Sequence, residues 1–237
     1  MHYKEKFVRF LLDSGALTFG DYTLKNGLKS PYMIDTDRFD SGSSLSKLGC
    51  FFARAIYEKM ELDVIPWETN LIFGTPYKGI PIAAASSIAL AAAFDLDFGW
   101  SFNRKAAKVN WEDGFFVGKK PGHGDQVLII DDVIHAGTAL RDTIDMLSQQ
   151  APEAKVIGSV IAVDRKERGR DKRLTAVAEA HFELGIPIFP IIDIDEILGV
   201  LKSGEIEREY NNYTKAALPT AEQIAAIENH LSEYCAT

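Results

Sequence analysis

The chain has 237 residues, with 26 Lys and Arg against 34 Asp and Glu, so its formal net charge is −8. Apolar residues make up 46% and charged residues 25%, proportions typical of a folded globular protein and not of a disordered or fibrous one. The negative charge argues against a general binder of nucleic acids or anionic membranes, whose affinity comes mainly from neutralising phosphates. We expect a single domain over 1–237, with residues 1–40 and parts of the C-terminus forming a small cap.

Neither the cysteines nor the N-terminal residues indicate a secreted protein. Cys50 and Cys235 are far apart and outside any CxxC spacing, so neither a disulfide framework nor a zinc site is indicated. The first residues include Glu5 and lack the apolar segment of a signal peptide, and the most apolar stretch, 80–94, is too short to cross a bilayer. We therefore expect a cytoplasmic protein.

The apolar spacing predicts alternating helices and strands in chain order. The first half is predicted to contain a helix over 3–12, short strands over 17–24 and 30–35, a helix over 44–59, a strand at 71–73, a helix over 80–94 and a strand at 98–102. The second half is predicted to contain strands at 127–130, 156–163 and 186–192, a helix after the first of these, and a last helix that opens with a capping box at Thr220 and Gln223. Unbroken apolar strands between helices indicate an α/β fold, with a central, mostly parallel sheet flanked by helices.

The strongest functional signal follows the strand at 127–130. Asp131 and Asp132 end this strand, and a loop of small residues with Gly137 and Thr138 leads into a helix. In open α/β sheets, ligands bind beyond the carboxyl ends of the strands, and amides at a helix N-terminus favour phosphate. Because carboxylates suit hydroxyl groups or a metal, the combination predicts a ribose 5-phosphate site; neither GxxxxGK[ST] nor GxGxxG is present.

Two further segments carry cations at predicted strand exits. Lys78 lies in a loop between Gly74 and Gly79, which indicates a second anion pocket, for pyrophosphate. The segment 102–110 contains Arg104, Lys105 and Lys108 and precedes a long connection, a pattern typical of a mobile basic lid. In the basic run 165–173, only Arg165, directly after a strand end, is predicted to belong to the site, and the remainder is interpreted as solvated surface.

Segment 131–139 resembles the phosphoribosyl-diphosphate (PRPP) binding motif of the type I phosphoribosyltransferases. Segments 19–25, 27–32, 77–81, 102–108 and 164–169 resemble the branch of that family that acts on orotate, in the same order along the chain. The PRPP motif alone is shared with purine and uracil enzymes and with regulators, whereas its combination with the cap and the Asn-Arg-Lys lid is more specific.

The resemblance implies a role for each matching residue. PRPP would be bound by Lys25, Tyr77, Lys78, Arg104, Lys105, Lys108, Asn110, Asp131, Asp132, Val133, Ile134, His135, Ala136, Gly137, Thr138 and Ala139. Orotate would be bound by Met33, Ile34, His135 and Arg165, and Lys25, Lys108, Asp131 and Asp132 would act in catalysis. A cis peptide before Tyr77 is implied as well. Three positions differ from the family pattern: His135 stands where members commonly have Thr, Asn110 where some have His, and Met33–Ile34 where an aromatic pair is usual.

The implied reaction is the transfer of the phosphoribosyl group of PRPP to orotate, giving orotidine 5′-phosphate and pyrophosphate in the synthesis of pyrimidine nucleotides. It implies Mg²⁺ held mainly by PRPP, with no metal-ligating side chain assigned. It also implies a homodimer in which Arg104 and Lys108 reach the PRPP of the neighbouring subunit, while Lys105 serves its own.

Two alternatives remain open from the sequence. One is a phosphoribosyltransferase for a purine base or uracil, enzymes that lack the Lys25 cap and the lid. The other is a non-catalytic PRPP-sensing regulator that binds nucleic acid, which needs a basic face that is not evident at this net charge.

Overall fold

The computed structural model describes residues 2–24, 27–104, 115–134, 137–170, 173–204, 206 and 218–235. The helices are α1 (Tyr3–Asp13), α2 (Gly42–Glu61), α3 (Gly79–Phe94), α4 (Thr138–Gln150), α5 (Ala176–Leu184), α6 (Ile194–Lys202) and α7 (Ala221–Tyr234). The strands are β1 (Leu17–Thr23), β2 (Lys29–Ile34), β3 (Leu71–Gly74), β4 (Gly99–Asn103), β5 (Phe116–Gly118), β6 (Gln126–Val133), β7 (Lys155–Asp164) and β8 (Ile188–Asp193). A 3₁₀ turn at Thr36–Arg38 follows β2.

Six strands form the central sheet in the order β5-β4-β3-β6-β7-β8. All neighbours pair in parallel except β4 and β5, which are antiparallel. The predicted α/β fold with a mostly parallel sheet flanked by helices is therefore confirmed. Among the described residues, none of the helices combines the length and the apolar character needed to cross a membrane.

Alternate residues of the central strands belong to two separate apolar layers, because successive side chains of a strand point to opposite faces. On β6, Leu128 and Ile130 join the layer formed with α1, α2, α3 and α6, whereas Val127 and Ile129 join the layer with α4 and α5. The sheet is thus covered on both sides, which explains why its strands read as continuous apolar runs.

Strands β1 and β2 form a separate two-stranded antiparallel sheet, and α7 packs against β2. This hairpin and α7 correspond to the expected cap. Helix α1 instead belongs to the core layer, since Phe7 and Leu11 are fully buried there. Tyr32 and Ile34 of β2 join the same apolar cluster, so the hairpin and the central sheet share one core.

Several elements were missed by the sequence analysis. Strand β5 has only three residues, too few for an apolar alternation, and α5 and α6 are nine-residue helices that directly flank β8. Strand β4 covers Gly99–Asn103, one residue later than predicted. Because β5 returns antiparallel to β4, the basic segment after Asn103 connects two adjacent strands.

Candidate active site

The site is built where β3 and β6 end side by side. The two strands pair in parallel up to Gly74 and Ile130, and the backbone N–H of Thr75 donates to the carbonyl of Ile130 at 3.1 Å. A side chain at Gly74 would collide with the backbone of Gly79 and Ile80, so only glycine permits the tight turn from β3 into α3. The register therefore brings the loop that carries Lys78 next to Asp131 and Asp132.

Lys78 lies between carboxylates of the core and of the cap. Its Nζ atom is 3.3 Å from Asp132 Oδ2 and 2.9 Å from Asp37 Oδ1, and it donates to Thr36 Oγ1 at 2.8 Å. Burial lowers the pKa of Lys78, but its hydrogen bonds and the charges of Asp37 and Asp132 outweigh burial and raise it above the ordinary value. Lys78 is therefore a cation at neutral pH. The preceding Pro76–Tyr77 peptide bond is cis, as the resemblance implied.

Asp131 and Asp132 are both buried at the end of β6. Asp131 Oδ1 accepts the backbone N–H of Asp132 at 2.9 Å, Asp132 Oδ1 accepts that of Val133 at 2.8 Å, and Thr36 Oγ1 donates to Asp132 Oδ2. Burial and the charge of Asp132 raise the pKa of Asp131 to about 7. Two negatively charged carboxylates repel each other in a low-dielectric site, so this pair is suited to bind neutral hydroxyl groups or a cation.

The loop after Asp132 leads directly into the N-terminus of α4. Gly137 is the N-cap residue with φ of +69°, a left-handed conformation that favours glycine. Because glycine has no side chain to cap the helix, the amides of the first turn can face an anion. Ile134 is buried, while Thr138 and Ala139 are exposed at the helix start.

A cavity of about 740 Å³ opens beside these groups, within the range of small-molecule sites. Six residues predicted from the sequence line it: Met33, Ile34, Lys78, Asp132, Val133 and Arg165. Its other walls were missed by the sequence analysis and include Thr36, Asp37, Glu167, Arg168, Gly169 and Arg170. Residues that the resemblance assigns to PRPP and residues that it assigns to orotate thus line one cavity.

The other predicted residues lie elsewhere. Asp131 precedes Asp132 on β6 and is not among the residues that line the cavity, and Tyr77 is 68% exposed beside Lys78. Arg104 follows β4, and its N–H donates to the carbonyl of Phe115 at 2.8 Å. Six predicted residues lie outside the described part of the chain: Lys25, Lys105, Lys108, Asn110, His135 and Ala136.

In the basic run after Arg165, Arg168, Arg170 and Arg173 are exposed as predicted, but the interpretation as solvated surface alone is incomplete. Arg168 and Arg170 line the cavity, and Lys166 Nζ lies 3.1 Å from Asp193 and 2.6 Å from Asp195. The partners of Lys166 and Arg170 come from α5, the end of β8 and α6, and of these elements only the strand β8 was predicted from the sequence. No local signal in the run distinguishes paired cations from solvated ones.

The two adjacent carboxylates are oxygen donors of the kind Mg²⁺ prefers. No group of three or more His, Cys, Asp or Glu side chains that could hold a metal alone occurs within the described ranges. The donor set therefore fits an ion held by Asp131 or Asp132 together with substrate oxygens, as expected for a metal that keeps most of its shell from ligand and water.

The fold and this site define the class of the protein. Residues 51–183 match the family model described as "Phosphoribosyl transferase domain", and the chain belongs to that family. The orotate phosphoribosyltransferase of Pseudomonas fluorescens is 45% identical over 201 residues, 84% of this chain and 89% of the relative. That of Bifidobacterium adolescentis is 38% identical over 229 residues, 97% of this chain and 96% of the relative. Within the class, the chain is thus a member of the orotate phosphoribosyltransferases.

The solved structures agree with this assignment. The crystal structure of orotate phosphoribosyltransferase from Francisella tularensis matches with a TM-score of 0.78 and 29% identity, covering 98% of this chain and all of that one.

Proposed function

We propose that this protein transfers the phosphoribosyl group of PRPP to orotate, giving orotidine 5′-phosphate and pyrophosphate in pyrimidine nucleotide synthesis. The observation that carries the proposal is the shared cavity, which has the Lys78–Asp132 pair on one wall and Arg165 with Met33 and Ile34 on another. One wall suits a sugar diphosphate and the other an anionic base. The named relatives act on orotate, which selects this base among nucleobases.

In this reaction the bond from the anomeric carbon to the diphosphate oxygen breaks, and a bond from that carbon to a ring nitrogen of orotate forms. Negative charge builds on the departing diphosphate, and Lys78 would stabilise it from the end of the β3 loop. Mg²⁺, when bound, neutralises part of the charge on the diphosphate. The expected partners of Lys78 in this task are the lid cations Arg104, Lys105 and Lys108.

The sugar would be held by the end of β6 and the start of α4. Asp131 and Asp132 would accept hydrogen bonds from the ribose hydroxyls, and the amides of Val133–Ala139 would bind the 5-phosphate. Positive charge develops on the ribose ring as the diphosphate leaves, and a carboxylate beside the ring favours that state. Fixing both ends of the sugar keeps the anomeric carbon in place for attack.

The base would lie between the hairpin and Arg165. Arg165 is buried; its Nη2 atom forms an ion pair with Glu167 Oε1 at 2.8 Å, whereas its Nε atom has no partner in hydrogen-bond geometry among the described residues. A buried guanidinium beside a cavity is strongly stabilised by a carboxylate, because charge-assisted hydrogen bonds form in a fork geometry. Orotate carries such a carboxylate, whereas uracil and the purine bases do not.

A homodimer would complete the site with the partner's lid. Helix α3 has no charged residue along Gly79–Phe94, and its outer face carries Ile88, 70% exposed. A helix that is apolar on all sides is normally buried, so a second copy of this chain is the expected cover for this face. Because α3 begins directly after Lys78, such a contact would bring the two active sites close together.

The experiment follows orotate absorbance with the purified protein, Mg²⁺ and PRPP. We expect PRPP-dependent loss of orotate, no reaction with uracil or adenine, and a fall in turnover of about a hundredfold or more in Asp132→Asn. Asp142→Asn, the same change at an exposed position of α4, should remain fully active. Loss of adenine or uracil in place of orotate, or full activity in Asp132→Asn, would contradict the proposal.

A further inference from the structure

Three side chains from distant parts of the chain form a stack at the base-binding wall of the cavity. The guanidinium carbon of Arg165 lies 5.2 Å from the ring centre of Tyr32 on β2. The ring of His230 on α7 meets Tyr32 edge-on, with ring centres 6.0 Å apart and an interplanar angle of 85°. All three residues are buried, so displacement of one side chain would also displace its neighbour.

The same C-terminal segment also holds the backbone that carries Arg165. The Cys235 thiol donates to the carbonyl of Arg165 at 3.6 Å, and Cys235 forms an antiparallel bridge with Glu167. Glu167 in turn places Oε1 2.8 Å from Arg165 Nη2. Cys235, the residue that follows α7, therefore contacts the segment after β7 through both its backbone and its side chain.

Burial removes the polar atoms of this cluster from water, so their pairing depends on the neighbouring side chains. Within the described part of the chain, Arg165 Nε and His230 Nε2 have no partner in hydrogen-bond geometry, and Arg165 Nη2 and Glu167 Oε1 contact each other only as an ion pair. Burial lowers the pKa of His230, the charge of Glu167 raises it and that of Arg165 lowers it, with a net shift downward. His230 is therefore neutral at neutral pH, and it acts on the stack through the shape of its ring and not through a charge.

We infer that His230 is a positioning residue, which acts through Tyr32 to hold the Arg165 guanidinium in place for the carboxylate of the base. The inference rests on the proposed function, since it assigns the arginine to the orotate carboxylate. Helix α7 would therefore contribute to base recognition, although it does not itself line the cavity. Loss of the ring would let Arg165 shift on Tyr32, which weakens orotate binding without disturbing the diphosphate wall around Lys78.

The experiment compares two apolar replacements of similar size at one position. His230→Phe keeps an aromatic ring against Tyr32, whereas His230→Leu fills the space without one. Steady-state kinetics of the full chain should give a Michaelis constant for orotate that rises about fivefold in His230→Leu and stays within about twofold of wild type in His230→Phe. The turnover number and the Michaelis constant for PRPP should stay unchanged in both variants.

Ile227→Ala is the structural control, because Ile227 is the other buried residue of α7 and packs into the main core. It should lower the melting temperature while leaving the orotate constant unchanged. Equal orotate constants in His230→Leu and His230→Phe, or the same rise in Ile227→Ala, would overturn the inference while leaving the proposed function intact. A wild-type protein that does not consume orotate would instead refute the proposed function.

Discussion

Lys78 Nζ lies 2.9 Å from Asp37 Oδ1, so the cation at the end of the β3 loop is paired with a carboxylate of the cap. Asp37 belongs to the 3₁₀ turn after β2, and its neighbour Thr36 accepts from Lys78 while donating to Asp132. The cap and the core are therefore joined at the position where the diphosphate of PRPP is proposed to bind. A bound diphosphate must compete with Asp37 for the same ammonium group.

Removing this competition should favour PRPP. In Asp37→Asn we expect the Michaelis constant for PRPP to fall severalfold, a modest effect because Asp37 is largely exposed and exposed ion pairs contribute little. Steady-state kinetics with varied PRPP measures this change. Asp40→Asn alters the same charge three residues later at an exposed position and should leave the constant unchanged. An increased constant in Asp37→Asn would mean that Asp37 orients Lys78 and does not compete with substrate.

The buried carboxylate pair should make stability depend on pH. The pKa of Asp131 is raised from its ordinary 3.8 to about 7, so between these values the folded protein holds a proton that the unfolded chain has lost. The free energy of unfolding contributed by this group therefore falls as pH rises from about 4 to about 7 and is constant above that. Urea unfolding of ligand-free protein at pH 5 and pH 8 tests this. Asp131→Asn should lose less stability than wild type between these pH values, and an identical loss would contradict the assignment.

The lid should affect chemistry more than base binding. In Lys108→Ala we expect the turnover number to fall about a hundredfold while orotate affinity changes little, because the lysine is proposed to stabilise the departing diphosphate. Steady-state and binding measurements separate the two effects. Lys155→Ala, at an exposed position at the start of β7, serves as control. Unchanged turnover in Lys108→Ala would remove this residue from the mechanism.

A shared site should also be visible in mixed dimers. Combining a Lys108→Ala chain with an Asp132→Asn chain should restore partial activity, since one of the two sites in each mixed dimer then has an intact lid lysine and an intact carboxylate. The measurement is the activity of heterodimers purified through two different tags. Absence of recovery in verified heterodimers would argue that each lid serves its own subunit.

The α3 face provides the test of the dimer itself. Ile88→Asp places a charge at the centre of the apolar face and should shift the protein toward monomer, as measured by light scattering across a concentration series. Phe182→Asp on α5 is matched, because Phe182 is also 70% exposed, and it should leave the dimer intact. Dissociation by Phe182→Asp with no effect of Ile88→Asp would place the interface on the other side of the molecule.

The position of the strand-end residues could be predicted because its signals are local. Asp131 and Asp132 follow a buried apolar run directly, and Lys78 lies between two glycines after another. Parallel pairing then places both segments at one edge of the sheet without further information. The sequence therefore sufficed for the fold class and for the six cavity-lining residues that follow these strands or belong to β2, namely Met33, Ile34, Lys78, Asp132, Val133 and Arg165.

The remaining parts of the site depend on contacts between distant segments. Thr36 and Asp37 lie 42 and 41 positions before Lys78, and the 3₁₀ turn that brings them there has no strong sequence pattern. The stack of Tyr32, Arg165 and His230 likewise joins three segments, and a lone histidine on a helix gives no hint of its partners. Tertiary packing decides these positions, so they became visible only in the structure.

The most direct test of the account is a crystal structure of the protein with PRPP and orotate bound. We expect the ribose hydroxyls at Asp131 and Asp132, the 5-phosphate against the amides of Val133–Ala139, and the orotate carboxylate on Arg165 beside Met33–Ile34. A sugar phosphate bound away from the Asp pair, or orotate bound without contact to Arg165, would contradict it.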